Sequence, residues 1–226
     1  MKPRICVSVK TDSVRRVSKA IGFSKKLGVS LVELRLDYAG EKQYDAFLRM
    51  VEDSGVHCIA TIRPSWDGGA YRGGEKNRLR LFEKALEAPF KYVDVEHRSR
   101  ILEDVSRLAS EKDVGLIVSH HDWSGTPSVK TLSNVFSAMR RRRADIYKIV
   151  TMVRNPVDEA TLLLFLKKIS GTRVVCFGMG EKGFATRILS PLLGGFMTYA
   201  SYDDSLAPGQ ATVRRMITVY RRMGVW

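Results

Sequence analysis

"DIYKIV" (145–150), "PVDEATLLLFLKKIS" (156–170) and "RVVCFG" (173–178) follow one another in the chain, and their reading decides the fold. The first and third pieces are short and rich in β-branched and aromatic residues, as buried strands are. The middle piece has helical spacing and charge. Strand, helix and strand in succession imply parallel strands joined by a crossover. Outward from this stretch the same unit recurs. Strand-like runs are "RICVSV" (4–9), "SLVELRL" (30–36), "VHCIATI" (56–62), "YVDVE" (92–96), "VGLIVS" (114–119) and "GFMTYA" (195–200), with helix-like segments such as "EKNRLRLFEKALE" (75–87) between them. Eight units in 226 residues match the size and rhythm of a compact (β/α)8 barrel. A doubly wound open sheet would leave two strands beyond its usual six. No Pro/Ser-rich linker, short-period repeat or low-complexity tract interrupts the pattern, so one domain over 1–226 is expected.

Hydrophobic residues make up 44% and charged residues 27%, the balance of a soluble globular protein. No apolar run approaches a membrane span, and the N-terminus lacks the apolar core of a signal peptide, so a cytoplasmic protein is expected. Cys6, Cys58 and Cys176 are odd in number, far apart and without metal-ligand spacing, and read as reduced core residues. The net charge of +14 raises nucleic acid or an anionic substrate as partner. The arginine runs at 140–143, 214–215 and 221–222 fall in or just after helical segments, where they stay solvated and some face helix C-termini. No nucleic-acid-binding signature accompanies them.

Lys148 stands inside the apolar run of "DIYKIV", where desolvating an ammonium group is costly. A snorkelling lysine on an edge strand would explain it, but a closed barrel has no edge strand. The other explanation is an amine nucleophile. In a barrel, chemistry gathers at the C-terminal ends of the strands, and ionisable residues do accumulate there. Glu33, Arg35 and Asp37 end the second strand, Arg63 follows the third, Asp94 and Glu96 close the fourth, and His121 follows the fifth. Arg187 lies in the loop after the seventh strand and "LAPGQ", with Gln210, in the loop after the eighth.

A lysine kept from water condenses with a ketone as the neutral amine, and a nearby histidine can move the adjacent proton. Periodicity does not choose between His120 and His121, and a lone histidine beside a strand is otherwise a satisfied core or loop residue. Each arginine alone reads equally as a surface ion pair; their shared location makes them candidate anion clamps. "GMGEKG" (178–183) matches G-x-G-x-x-G in spacing, but no acid-ended second strand of a dinucleotide fold follows it.

"ELRLDY" (33–38), "RPSWDGG" (63–69), "SHHDW" (119–123), "YKIVTM" (147–152), "GMGEKGFATR" (178–187) and "LAPGQ" (206–210) together resemble the ordered motifs of the type I 3-dehydroquinate dehydratase family. The resemblance implies a (β/α)8 barrel that converts 3-dehydroquinate to 3-dehydroshikimate and water in the shikimate pathway, through a lysine Schiff base and without metal or cofactor. It makes Lys148 the lysine that condenses with the C3 ketone and His121 the catalytic histidine, with His120 in a position usually held by asparagine or tyrosine. Asp67 corresponds to the loop acid that supports the histidine. Glu33 and Arg35 match the pair that grips the ring hydroxyls, and Arg63, Arg187 and Gln210 the group around the carboxylate. Ser8, near the end of the first strand, is a looser match. The partner implied is the small-molecule substrate, with no nucleic acid, no membrane and a homodimer as an allowed assembly.

Three departures stand out. Asp67 is shorter than the usual glutamate. Leu206 replaces the serine before "APGQ", so that hydroxyl contact is absent or comes from Ser205. Trp123 replaces a phenylalanine. The sequence also starts directly at the first barrel strand, so the N-terminal hairpin of longer relatives is expected to be missing. A class I aldolase would share the barrel and the strand-six lysine, but the "APGQ" loop and the Glu33–Arg35 pair argue against it.

Overall fold

Strands and helices alternate from end to end in the computed structural model, which describes residues 2–169 and 171–226, with the side chains of residues 41 and 42 left out. The strands are β1 (Ile5–Lys10), β2 (Leu31–Arg35), β3 (His57–Thr61), β4 (Tyr92–Glu96), β5 (Gly115–Asp122), β6 (Ile146–Met152), β7 (Val174–Met179) and β8 (Thr198–Ser201). The helices are α1 (Val14–Lys26), α2 (Glu41–Asp53), α3 (Glu75–Ala85), α4 (Leu102–Glu111), α5 (Val129–Arg140), α6 (Pro156–Lys168), α7 (Phe184–Leu189) and α8 (Val213–Arg222). One sheet joins the strands in the order β7-β6-β5-β4-β3-β2-β1-β8. Parallel register holds between β2 and β3, β3 and β4, and β6 and β7. Just ahead of β8, Phe196 N donates to Val174 O at 2.7 Å, which brings the last strand back to β7. The result is a (β/α)8 barrel, as the alternation predicts.

Differences from the sequence reading are confined to element ends. β5 continues to Asp122, so His120 and His121 belong to the strand instead of following it. β8 begins at Thr198 because Gly195 N is still bonded back to Ser190 O at 2.8 Å, in the preceding turn. α6 ends at Lys168, and Ser170, the last residue of the expected helix, lies outside the described residues. Its start is firmly set: Asn155 Oδ1 accepts from Val157 N and Asp158 N, and the Asp158 carboxylate accepts from Asn155 N. This capping box, with Pro156 at the first helical position, satisfies the donors a helix start leaves open.

By contacts the chain divides into two compact units, Val7–Val118 and Met1–Cys6 with Ser119–Trp226. The core of the first holds Val32, Leu34, Ile59, Val93 and Val95 from its strands with Val17, Ala20 and Phe82 from its helices, all fully or almost fully buried. In the second, the Phe136 ring of α5 meets Tyr147 edge-on at 5.5 Å and Phe165 of α6 at 6.1 Å. That contact fixes the facing of β6. Alternate residues of a strand point to opposite sides, and Tyr147 is on the helix side. Lys148 is therefore on the interior side, the side on which a barrel does its chemistry.

All three cysteines are buried and unbridged, and burial pushes the thiols of Cys58 and Cys176 up to about 11 and about 12. They are inert core residues. Arg140 to Arg143 are exposed at and after the end of α5, as are Arg221 and Arg222 at the end of α8, where they oppose the partial negative charge of a helix C-terminus. Among the described residues, no helix is long and apolar enough to cross a membrane.

Candidate active site

In the unit Val7–Val118, the site residues form two anchored groups. Glu33 is 4% exposed on β2. Its Oε2 accepts from Ser8 Oγ of β1 at 2.6 Å and its Oε1 from Thr61 Oγ1 of β3 at 2.9 Å. Two residues along β2, Arg35 meets Asp37 as a fork, Nε to Oδ1 at 2.8 Å and Nη2 to Oδ2 at 2.7 Å. Asp37 Oδ2 also accepts from Ala70 N at 2.9 Å, so the pair ties β2 to the loop after β3. Burial opposes the Arg35 charge, but the Asp37 hydrogen bond and charge outweigh it and raise its pKa.

Arg63 is the centre of the second group. Its Nη2 reaches Asp94 Oδ1 at 2.7 Å, and its Nη1 reaches Glu96 Oε1 at 2.6 Å and Asp67 Oδ2 at 3.3 Å. All four side chains are at least nine-tenths buried. Desolvation works against the guanidinium, yet Asp94, Glu96 and Asp67 hold its pKa well above the ordinary value. Behind it, Arg78 of α3 is fully buried, with Nη2 at 2.7 Å from Glu96 Oε2 and 2.8 Å from Ser99 Oγ. Desolvation raises the Glu96 pKa, and the two arginines pull it the other way.

Breaking a buried pair strands its partners' charges. Arg63→Met is therefore expected to lower stability by about 3–5 kcal/mol, a fall in Tm of about 6–20 °C for a chain of this size. Thermal melts followed by circular dichroism check it. An unchanged melting point would mean that the carboxylates do not depend on Arg63.

The second unit holds the lysine. Lys148 is 6% exposed, and its Nζ lies 4.2 Å from the centroid of the Tyr199 ring on β8. That ring is 6.1 Å from the ring of Phe177 on β7, which in turn is 4.4 Å from the Arg187 guanidinium carbon. Two aromatic rings thus link the amine to a guanidinium. Arg187 is 1% exposed, and among the described residues its Nε and Nη2 have no hydrogen-bond partner. Desolvation pulls its pKa down to about 9. The two arginines expected around a substrate carboxylate thus differ: Arg63 is engaged by three carboxylates, whereas Arg187 keeps two guanidinium nitrogens without a hydrogen-bond partner among the described residues.

His120 is buried and His121 half-buried near the end of β5. The His121 ring lies 6.1 Å from Trp123, which is 37% exposed. Asp122 Oδ1 accepts from both N and Oγ of Ser124 and turns the chain after β5. In the "LAPGQ" loop, Gln210 Oε1 accepts from Leu206 N at 2.8 Å. Ser205 Oγ is turned onto its own loop, donating to Ala207 O, which accounts for one of the two hydroxyl options left by the missing serine. This loop is fastened to the loop after β7 by Gly180 N donating to Pro208 O at 3.0 Å. Gly209 has φ +68, and a Cβ there would fall 2.0 Å from Gly180 O, so only glycine fits this joint.

The sequence reading gives Asp37, Asp94 and Glu96 places at strand ends but no roles; they are the anchors of Arg35 and Arg63. It misses Thr61, Arg78 and Tyr199. Arg78 shares its helix face with Phe82 and Ala85, both buried, and that i, i+4, i+7 spacing is the signal that a charged residue points inward.

A barrel whose sixth strand turns a buried lysine to the interior, on one aromatic wall with an arginine short of hydrogen bonds, defines a lysine-bearing (β/α)8 enzyme for an anionic small molecule. Comparison with known proteins narrows the class. The family model described as Type I 3-dehydroquinase matches residues 5–225. The 3-dehydroquinate dehydratase of Dehalococcoides mccartyi is 36% identical over 211 residues, covering 92% of each chain. That of Methanocaldococcus jannaschii is 33% identical over 223 residues, covering 97% of this chain and 98% of its own. The crystal structure of 3-dehydroquinate dehydratase from Geobacillus kaustophilus matches with a TM-score of 0.89 at 26% identity, covering 100% of this chain and 93% of that one. The chain belongs to the type I 3-dehydroquinase family.

Proposed function

We propose that the protein dehydrates 3-dehydroquinate to 3-dehydroshikimate, as its family does, through a Schiff base on Lys148. The observation that carries the reading is the buried lysine on the interior side of β6, joined through Tyr199 and Phe177 to the desolvated Arg187. A substrate with a ketone at one end and a carboxylate at the other matches an amine and a guanidinium on one wall.

In this reading the Lys148 nitrogen attacks the C3 carbonyl carbon, and the oxygen departs as water. His121 assists that dehydration and then removes a C2 proton. The C–H electron pair becomes the C2=C3 bond and the C=N pair returns to nitrogen as an enamine. The enamine expels the C1 hydroxyl, which takes a proton from the imidazolium of His121. Hydrolysis of the product iminium frees Lys148. Asp67, pinned by Arg63, is the loop acid that the family resemblance assigns to support the histidine. Glu33, held by Ser8 and Thr61, and Arg35, held by Asp37, receive the ring hydroxyls. Arg187 takes the carboxylate and Gln210 covers it from the lid loop, while Arg63 serves as the anchor of the acidic group. The chain is proposed to act as one catalytic domain over 1–226 in the cytoplasm, as a monomer or homodimer, without nucleic acid or membrane.

The product is a conjugated enone, so adding 3-dehydroquinate to the purified protein should raise ultraviolet absorbance with time. Aldol cleavage creates no such chromophore. A flat trace at saturating substrate would remove the proposal.

A further inference from the structure

We propose that Tyr199 is a catalytic residue, its ring face stabilising the positive charge that the Lys148 nitrogen carries as an iminium. The inference rests on the Schiff-base reading above and gives a chemical role to a side chain that the reading uses only as part of the wall. Nζ lies 4.2 Å from the ring centroid, inside the range of a cation–π contact. Lys148 is 6% and Tyr199 3% exposed, so solvent screens the attraction little. The ring is held from the side by Phe177 at 6.1 Å and an interplanar angle of 50°.

Charge bookkeeping shows where such a face acts. When the amine condenses with the ketone, one nitrogen hydrogen and one proton from an acid leave with the oxygen as water. The nitrogen keeps a double bond to carbon and a positive charge. Loss of the neighbouring proton returns an electron pair to nitrogen and neutralises it; loss of the hydroxyl draws the pair back and restores the charge. The nitrogen is thus cationic before and after elimination, each time next to the negative face of the ring. Removing water from a lysine makes a positive charge on its nitrogen costly, and a π face at this distance lowers that cost.

The test replaces Tyr199 by phenylalanine and then by phenylalanines carrying two, three and five ring fluorines, introduced by amber suppression. Fluorine withdraws electron density from the π face with little change in shape, and matched melting points across the series confirm that packing is kept. At saturating 3-dehydroquinate, a short borohydride pulse reads the iminium population and steady-state assays read kcat. Both are expected to fall progressively with fluorination, by on the order of 10- to 30-fold from the plain to the fully fluorinated ring. A flat series with Lys148 still trapped would overturn the proposal and leave Tyr199 as packing. A collapse at Tyr199→Phe with no slope beyond it would overturn it too, by assigning the effect to the phenol hydroxyl. Failure to trap wild-type Lys148 at all would instead remove the Schiff-base reading beneath it.

Discussion

Lys148→Ala is expected to abolish turnover, with kcat lowered at least about a thousandfold, because no other group on the wall can form the imine. Lys148→Arg should fail as completely. A guanidinium keeps its charge and has no free amine to add to a carbonyl. Both variants are expected to stay folded, since each changes one side chain in a wall that the Tyr199 ring still lines. Steady-state assays beside thermal melts give the pattern expected: activity at background with a cooperative melting transition retained. Retained turnover in Lys148→Ala would assign the chemistry to another route.

Arg187→Met should raise KM for 3-dehydroquinate about 30-fold to about 4,000-fold, the equivalent of losing about 2–5 kcal/mol of charge-assisted binding in a dry site. Borohydride trapping at very high substrate should survive, because the amine is untouched. Stability gives an independent sign. The wild-type guanidinium carries a desolvation cost, visible as a pKa lowered to about 9. A base whose folded pKa lies below its unfolded value destabilises the fold wherever it is charged in both states, so the cost is fully present at neutral pH. Methionine keeps much of the volume and removes that cost, so the unliganded variant should melt no lower than wild type. Arg63→Met, whose arginine is held by three carboxylates, should melt far lower. Finding the two melting shifts reversed would mean that Arg187 is the anchor and Arg63 the clamp.

How much of this was legible follows from what each signal depends on. The barrel was, because strand–helix alternation is written in local composition and eight repetitions leave little freedom. Lys148 was legible as an anomaly, a charge inside an apolar run, and the closed sheet removes the edge-strand explanation. Element ends were not, since they depend on tertiary hydrogen bonds such as Gly195 N to Ser190 O, which delays β8. The proposed division of labour between Arg63 and Arg187 was also hidden. Both follow strands and both look like clamps, and only the spatial convergence of Asp67, Asp94 and Glu96 on one of them tells them apart. Tyr199 was invisible for the same reason: β-strand aromatics are usually core, and only the Lys148 amine placed over the ring face sets this one apart.

The central claim is that the lysine of "DIYKIV" is buried in order to form a covalent imine. The most direct test is incubation of the wild-type protein with 3-dehydroquinate and borohydride, followed by peptide mass mapping. A stable secondary amine on Lys148 and on no other lysine is the predicted result, because exposed lysines stay protonated near neutral pH and react slowly. His121→Ala should still accumulate some adduct while losing elimination, which separates imine formation from proton transfer. An enzyme that converts substrate while borohydride neither inactivates it nor marks Lys148 would contradict the account.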